Sequence, residues 1–187
     1  MDIKNNLADI LDELRQHSEK IDNQQLEQYV NEIAAAKRIY VTGAGRSGLA
    51  IRAFAMRLMH LGKDVHILGD VTAPHTRAND LLLIGSGSGE TKSLVAAGDK
   101  AKSCGLRVAL NTIDDTTTLA KLADVVIVLP GASQKVQNDA EKITSIQPMG
   151  SSYEQLSLLV YDAVIMALME KLGQTNDEMF MRHANIE

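Results

Sequence analysis

The chain has 187 residues, room for one domain with a sizeable core and too few for two full ones. Acidic side chains outnumber basic ones 24 to 19, for a formal charge of −5, and aromatics are 3% with no tryptophan; this disfavours a nucleic acid, an anionic membrane or a base-stacking role. The one cysteine, Cys104, excludes an intrachain disulfide framework and a Cys-rich metal site, and without an N-terminal signal pattern a reducing cytoplasm is expected.

Ile3, Leu7, Ile10, Leu11 and Leu14 recur at helical spacing, as do Leu26, Tyr29, Val30 and Ile33 after a polar break from Ser18 to Gln25. Two amphipathic helices therefore open the chain. Arg38 to Thr42 is a short β-rich run, stopped by Gly43-Ala44-Gly45-Arg46-Ser47-Gly48, and Leu49 to Leu61 is helical again. Asp64 to Leu68 predicts a second strand. Asp80 to Gly85 predicts a third, running into Ser86-Gly87-Ser88-Gly89-Glu90-Thr91 and a helix to about Lys102. Arg107 to Asn111 is a fourth strand, Thr117 to Leu122 a short helix, and Val125 to Leu129 a fifth strand ended by Pro130-Gly131.

A weakly patterned, polar loop leads to Met149, a long helix runs from about Ser152 to Leu172, and a short tail from Met181 to Glu187 closes the chain. Leu156 to Met169 is apolar except at Ser157 and Asp162. This run is shorter than the roughly 20 residues of a bilayer span, so it reads as a helix buried in a core or between subunits. No repeat or linker marks a second domain, so residues 1–187 are expected to form one: helices over 1–36, then sheet, crossover helices and C-terminal helix over 37–187.

Strands alternating with helices predict an α/β fold, a five-stranded parallel sheet covered on both faces, and five strands suit the flavodoxin-like order 2-1-3-4-5. In that order strands 1 and 3 meet at the switch point, where open α/β sheets bind ligands. Both glycine turns follow those two strands.

Gly43-x-Gly45-x-x-Gly48 has the form of a dinucleotide fingerprint, but the acidic residue that should hold a ribose is out of place, Asp70 being the nearest. A tight strand-to-helix turn without a ligand fits as well. The second turn says more: Ser86, Ser88 and Thr91 set three hydroxyls among glycines at a helix start, donors suited to a phosphate monoester. No Gly-Lys-Ser/Thr follows, so it is not a P-loop. The plainer account, Ser88 or a neighbour capping the helix, explains one hydroxyl and not three.

Glu154 stands at the mouth of the apolar helix, a low-dielectric setting that could suit a working base. Ser151-x-x-Glu154 is also a capping box, and on spacing alone the cap is the stronger account. His60 ends the first crossover helix beside Gly62, where an idle C-terminal histidine is common. That helix starts at the crevice and carries His60 about 20 Å away, so any site it serves belongs to a neighbouring subunit. His66 reads as a packed strand residue, His17 as a surface residue, and His75 as a residue that could approach the crevice. The histidines show no metal-ligand spacing. Cys104 reads as an inert small hydrophobe, and Met179 and Met181 as packing material.

With these residues in view, the chain resembles the sugar isomerase (SIS) domain, in particular the 6-phospho-3-hexuloisomerase family. The resemblance rests on Tyr40 to Gly48, the run Ala53 to Gly62 (Met56-Arg57-Leu58-Met59-His60-Leu61-Gly62 within it), Gly85-Ser86-Gly87-Ser88-Gly89-Glu90-Thr91, Met149-Gly150-Ser151-Ser152-Tyr153-Glu154-Gln155 and Arg182-His183-Ala184-Asn185. It implies a cytoplasmic, cofactor-free enzyme, a homotetramer, and with His60 so far from the crevice the active sites are expected to be shared between subunits. Such an enzyme interconverts 3-hexulose 6-phosphate and fructose 6-phosphate in the ribulose monophosphate route of formaldehyde fixation. By the same carry-over Ser47, Ser86, Ser88 and Thr91 hold the phosphate, Gly45, Arg46 and Gly87 line the substrate, Glu154 is the base and His60 an acid. The loop from Gly69 to Asn79 departs from the family pattern, with Asn79 where a turn glycine is usual. The rival readings are another ketose or heptose phosphate isomerase, a sugar-phosphate-sensing SIS module, and nicotinamide binding.

Overall fold

Aspartates start both opening helices. Asp2 accepts from the Asn5 amide (3.0 Å) at the head of α1 (Ile3–Ser18), and Asp22 accepts from the Gln24 amide (2.8 Å) at the head of α2 (Asn23–Ala35). Strands and helices then alternate through β1 (Arg38–Gly43), α3 (Gly45–His60), β2 (Asp64–Ile67), β3 (Leu81–Gly85), α4 (Lys92–Ser103), β4 (Arg107–Thr112), α5 (Thr118–Leu122) and β5 (Val125–Val128). The chain closes with α6 (Ser151–Leu172) and α7 (Asn176–Phe180). The structure is a computed structural model and describes residues 2–132 and 143–186, so most of the polar loop before Met149 lies outside the described residues.

The sheet is parallel throughout, in the order β2-β1-β3-β4-β5, as the strand-helix alternation predicts. The period-2 alternation of the strands sorts their side chains onto two faces. Ile39, Val41, Leu81, Leu83, Ala109 and Ile127 meet α1, α2, α3 and α6 on one face; Tyr40, Leu82, Ile84, Val108 and Leu110 meet α4 and α5 on the other. β3 lies at the centre with all five residues buried, which accounts for its unbroken Leu-Leu-Leu-Ile run.

α6 is the main cover of the larger core, burying Leu156, Val160, Tyr161, Val164, Ile165 and Leu168. Its sequence is apolar all round, yet Leu158, Leu159 and Met166 remain 39%, 52% and 71% exposed. The core therefore accounts for one side of this helix only.

Some local expectations need correction. α3 begins at Gly45 rather than Leu49, because the residues of the glycine turn already form its first turn. His17 is buried, not at the surface: it follows Leu14 on the inner stripe of α1. His75 does not approach the crevice. Its carbonyl accepts from Arg38 Nη1 (3.4 Å), at the start of β1 and thus at the end of the sheet opposite the glycine turns. Cys104 is exposed. Met179 packs against the core, whereas Met181 is exposed. The turn residue Asn79 takes φ +68, a left-handed conformation that asparagine tolerates better than most residues.

Candidate active site

β1 and β3 are neighbours with Gly43 level with Gly85, so both glycine turns leave the sheet at one point. A Cβ on Gly48 would stand 2.6 Å from the Gly43 carbonyl oxygen, and one on Gly43 would stand 2.9 Å from Gly48 Cα. These two glycines let strand and helix touch backbone to backbone, which is a packing role. Arg46 and Ser47, between them in sequence, line the crevice.

The turn after β3 is built differently. α4 begins at Lys92, and its N-cap residue Thr91 makes no side-chain cap bond. Ser88 Oγ accepts only a long bond from the Glu90 amide (3.4 Å). Capping therefore does not account for these hydroxyls. Ser86 is 3% exposed, and its buried Oγ has no hydrogen-bond partner. An unpartnered buried hydroxyl is costly, and one that lines a crevice points to a ligand that completes it.

The loop is held from two sides. Glu90 accepts from the Thr118 amide (2.6 Å) and the Thr118 hydroxyl (2.9 Å), bonds that hold its carboxyl below the usual range and tie the loop to α5. On the inner side a Cβ on Gly87 would stand 3.0 Å from the ring of Tyr153. That tyrosine is buried in α6, and its hydroxyl donates to the Asn111 carbonyl (2.9 Å) at the end of β4. Asn111 Nδ2 in turn donates to the Tyr161 hydroxyl (3.0 Å). Burial pushes both phenols up, so they act as neutral struts.

Between the turns and the head of α6 lies a cavity of about 530 Å³. Gly45, Arg46, Ser47, Ser86, Gly87, Ser88, Thr91 and Glu154 all line it, so eight of the nine residues singled out from the sequence meet in one place. Tyr153, Ile113 and Leu94 also line it and were not assigned a role from sequence, and so does Ser151, read from sequence as a cap. The Tyr153 ring under Gly87 leaves no local sequence signal, since the contact joins residues far apart in the chain. Met149 has a legible signal only in hindsight: between Pro148 and Gly150 it takes φ +57, a strained conformation of the kind that collects at functional sites.

The capping-box reading of Glu154 is overturned. Gly150 occupies the N-cap position of α6, Ser151 is already helical, and no side-chain cap bond forms. A capping box does occur at Thr175 and Glu178, at the head of α7, where it was not anticipated. Glu154 instead turns into the crevice, where its Oε2 lies 2.7 Å from Arg46 Nε. Its side chain is 20% exposed and that of Arg46 62%, so the guanidinium is the outer partner.

His60 is the ninth residue and lies elsewhere. It ends α3, while Gly45 at the crevice begins it, a helix length of about 22 Å. It is 3% exposed, and burial, then the charge of Arg57, then His183 lower its pKa. A larger cleft of about 930 Å³ lies between α1 and residues 144–148, but Asp9, Asp12 and Glu13 give it an acidic wall that repels a phosphate. Among the described residues no cluster of three or more His, Cys, Asp or Glu could hold a metal ion, and no helix is long and apolar enough to cross a membrane.

Comparison with known proteins gives the family. A family model described as the SIS domain matches residues 32–159. A Bacillus subtilis protein named 3-hexulose-6-phosphate isomerase is 46% identical over 181 residues, 97% of each chain. A Mycobacterium gastri protein of the same name is 41% identical over 186 residues, covering 100% of this chain and 92% of its own. A solved structure from Methanococcus jannaschii, a hypothetical protein for which 3-hexulose-6-phosphate isomerase function was inferred, superposes with a TM-score of 0.82 at 30% identity. That match covers 98% of this chain and 99% of the other. The matched stretch from residue 32 to 159 contains both glycine turns and Glu154.

Proposed function

The chain belongs to the SIS-domain family and stands among its 3-hexulose-6-phosphate isomerases, and from that membership we infer that it isomerises 3-hexulose 6-phosphate to fructose 6-phosphate and back. The observation that carries the residue assignment is the crevice itself: a carboxylate on one wall, and on the other a hydroxyl loop with the unpartnered Ser86 Oγ. Ser47, Ser86, Ser88 and Thr91 hold the phosphate at the heads of α3 and α4, where the helix dipoles favour an anion. Gly45, Arg46 and Gly87 line the sugar, and Arg46 has the exposure to exchange its pairing with Glu154 for the ligand's charge.

The reaction moves a carbonyl from C3 to C2. Glu154 removes the C2 proton while an acid protonates O3, giving a 2,3-enediol. The O2 proton then leaves to the conjugate base of that acid, and Glu154 returns a proton to C3. Both groups end as they began, and the step requires neither metal nor nicotinamide. The acid comes from the cluster around His60 at the far end of α3, so it serves a neighbouring subunit's crevice. The exposed Leu158, Leu159 and Met166 of α6 and Ile3, Leu7 and Leu11 of α1 support the assembly of subunits this requires, proposed here as a homotetramer. The setting is cytoplasmic, in a formaldehyde-fixing route.

Replacing Glu154 by Gln tests the base. The variant is expected to fold and bind fructose 6-phosphate while turnover of 3-hexulose 6-phosphate falls by about 10²-fold or more. Near-normal turnover would remove Glu154 from the chemistry. A panel of ketose and heptose phosphates run with the wild type fixes the substrate.

A further inference from the structure

The far end of α3 holds two imidazoles, and their surroundings give them different abilities. His60 is 3% exposed, covered by the C-terminal tail. Arg182 Nη1 donates to the His60 carbonyl (2.8 Å) and to Gln174 Oε1 (2.9 Å), pinning the tail to the helix end. The His183 ring stacks on the His60 ring at 5.2 Å, and Phe180 flanks His183 at 6.1 Å. His183 itself is exposed. The tail thus lays the accessible imidazole over the inaccessible one.

Hydrogen bonding separates them further. Arg57 Nη1 lies 3.3 Å from His60 Nδ1. A guanidinium can only donate, so Nδ1 accepts and the His60 proton sits on Nε2. A second proton would have to enter against the Arg57 charge, which agrees with the lowered pKa of this buried ring. His60 is held neutral and is a poor shuttle. In His183 the pattern is reversed: Nδ1 lies 2.9 Å from the Ala184 carbonyl oxygen, which can only accept, so Nδ1 carries the hydrogen. The lone pair of the neutral ring is then on Nε2, the carbonyl fixing the tautomer and orientation of the ring.

We propose that His183, rather than His60, is the proton-transferring group that this cluster presents to a neighbouring subunit's crevice, and that His60 is a positioning residue behind it. The proposal rests on the isomerase reading above. His183 as imidazolium gives the Nε2 proton to O3 as Glu154 of the other subunit takes the C2 proton. As imidazole it accepts the O2 proton when Glu154 returns its own to C3, so no proton or electron is left over. Arg57 and Arg182 are the cations beside the two rings.

The test begins with the wild type and Glu154→Gln, which judge the isomerase reading independently of any histidine. His183→Ala, altered at an exposed tail position, is then expected to lose kcat by about 10²-fold with little change in KM, and to regain part of it with added imidazole. Mixed with Glu154→Gln under confirmed subunit exchange, it should restore a fraction of wild-type turnover. His60→Asn, whose side-chain oxygen still accepts from Arg57, should keep kcat within about 10-fold of wild type, while His60→Ala falls further. The proposal is overturned if His183→Ala retains wild-type kcat, if neither imidazole nor mixing restores activity, or if His60→Asn is as inactive as His60→Ala.

Discussion

α3 has opposite characters at its two ends. At its first turn the backbone is pressed against β1 through Gly43 and Gly48, and the side chains around it are short of partners: Ser86 Oγ has none, and Arg46 reaches Glu154 from a largely exposed position. At its last turn polar groups are paired, with Arg57 on His60 Nδ1 and Arg182 on the His60 carbonyl. One end holds a buried hydroxyl without a hydrogen-bond partner, while the other is paired within the chain. A substitution at the crevice end should therefore either break the floor of the site or impair substrate handling at little cost in stability. At the far end, substitution of the buried His60 should also appear in the pH dependence of stability.

The largest effect is expected at the floor. Gly48→Ala places a Cβ 2.6 Å from a backbone oxygen, an atom no rotamer change can move. The substitution should cost more than about 4 kcal/mol and lower Tm by about 10 °C or more. A thermal melt settles this, and an unchanged Tm would mean that strand and helix do not meet as closely as described.

Next comes the wall of the same crevice. Ser86→Ala removes a buried hydroxyl that lacks a partner, so Tm should stay level or rise. KM for the sugar phosphate should rise by about 10-fold, the worth of one hydrogen bond to a charged group. The reverse outcome, a lower Tm with KM unchanged, would show that Ser86 serves the fold and would erase the contrast between the two ends.

How far the sequence reveals each end follows from the range of the forces involved. Strand order and the meeting of the two turns are legible, because apolar period and glycine position are local signals that the parallel crossover rule converts into topology. The hydroxyl loop is legible for the same reason. Glu154 was ambiguous because Ser151 and Glu154 have capping-box spacing; what decides is that Gly150, not Ser151, takes the cap position. The burial of His17 and the stacking of His183 on His60 were not legible. Both depend on which distant segment covers a helix face, and the covering tail is fixed by side-chain bonds such as Arg182 to the His60 carbonyl. The Tyr153 ring beneath Gly87 is hidden in the same way.

The smallest expected effect is a slope in stability with pH, and it tests the claim that His60 is neutral and covered. Burial lowers the pKa of both His17 and His60, with Arg57 and His183 adding to the shift at His60. In the unfolded chain both rings take up protons near the ordinary imidazole value of about 6.5. In the folded chain they resist until lower pH, so below that value the unfolded state binds more protons. The contribution of these rings is therefore complete above about pH 6.5 and is lost as pH falls toward the folded values. The carboxyls of Asp64, Glu90, Asp124 and Glu178 are held low, so their loss begins at more acidic pH and does not mask this window. Tm should decline from about pH 7 to 5.5, and His60→Asn should flatten the decline whatever it does to Tm itself. A slope unaltered by His60→Asn would mean that the ring charges freely, and then the tail would not seal His60 from water.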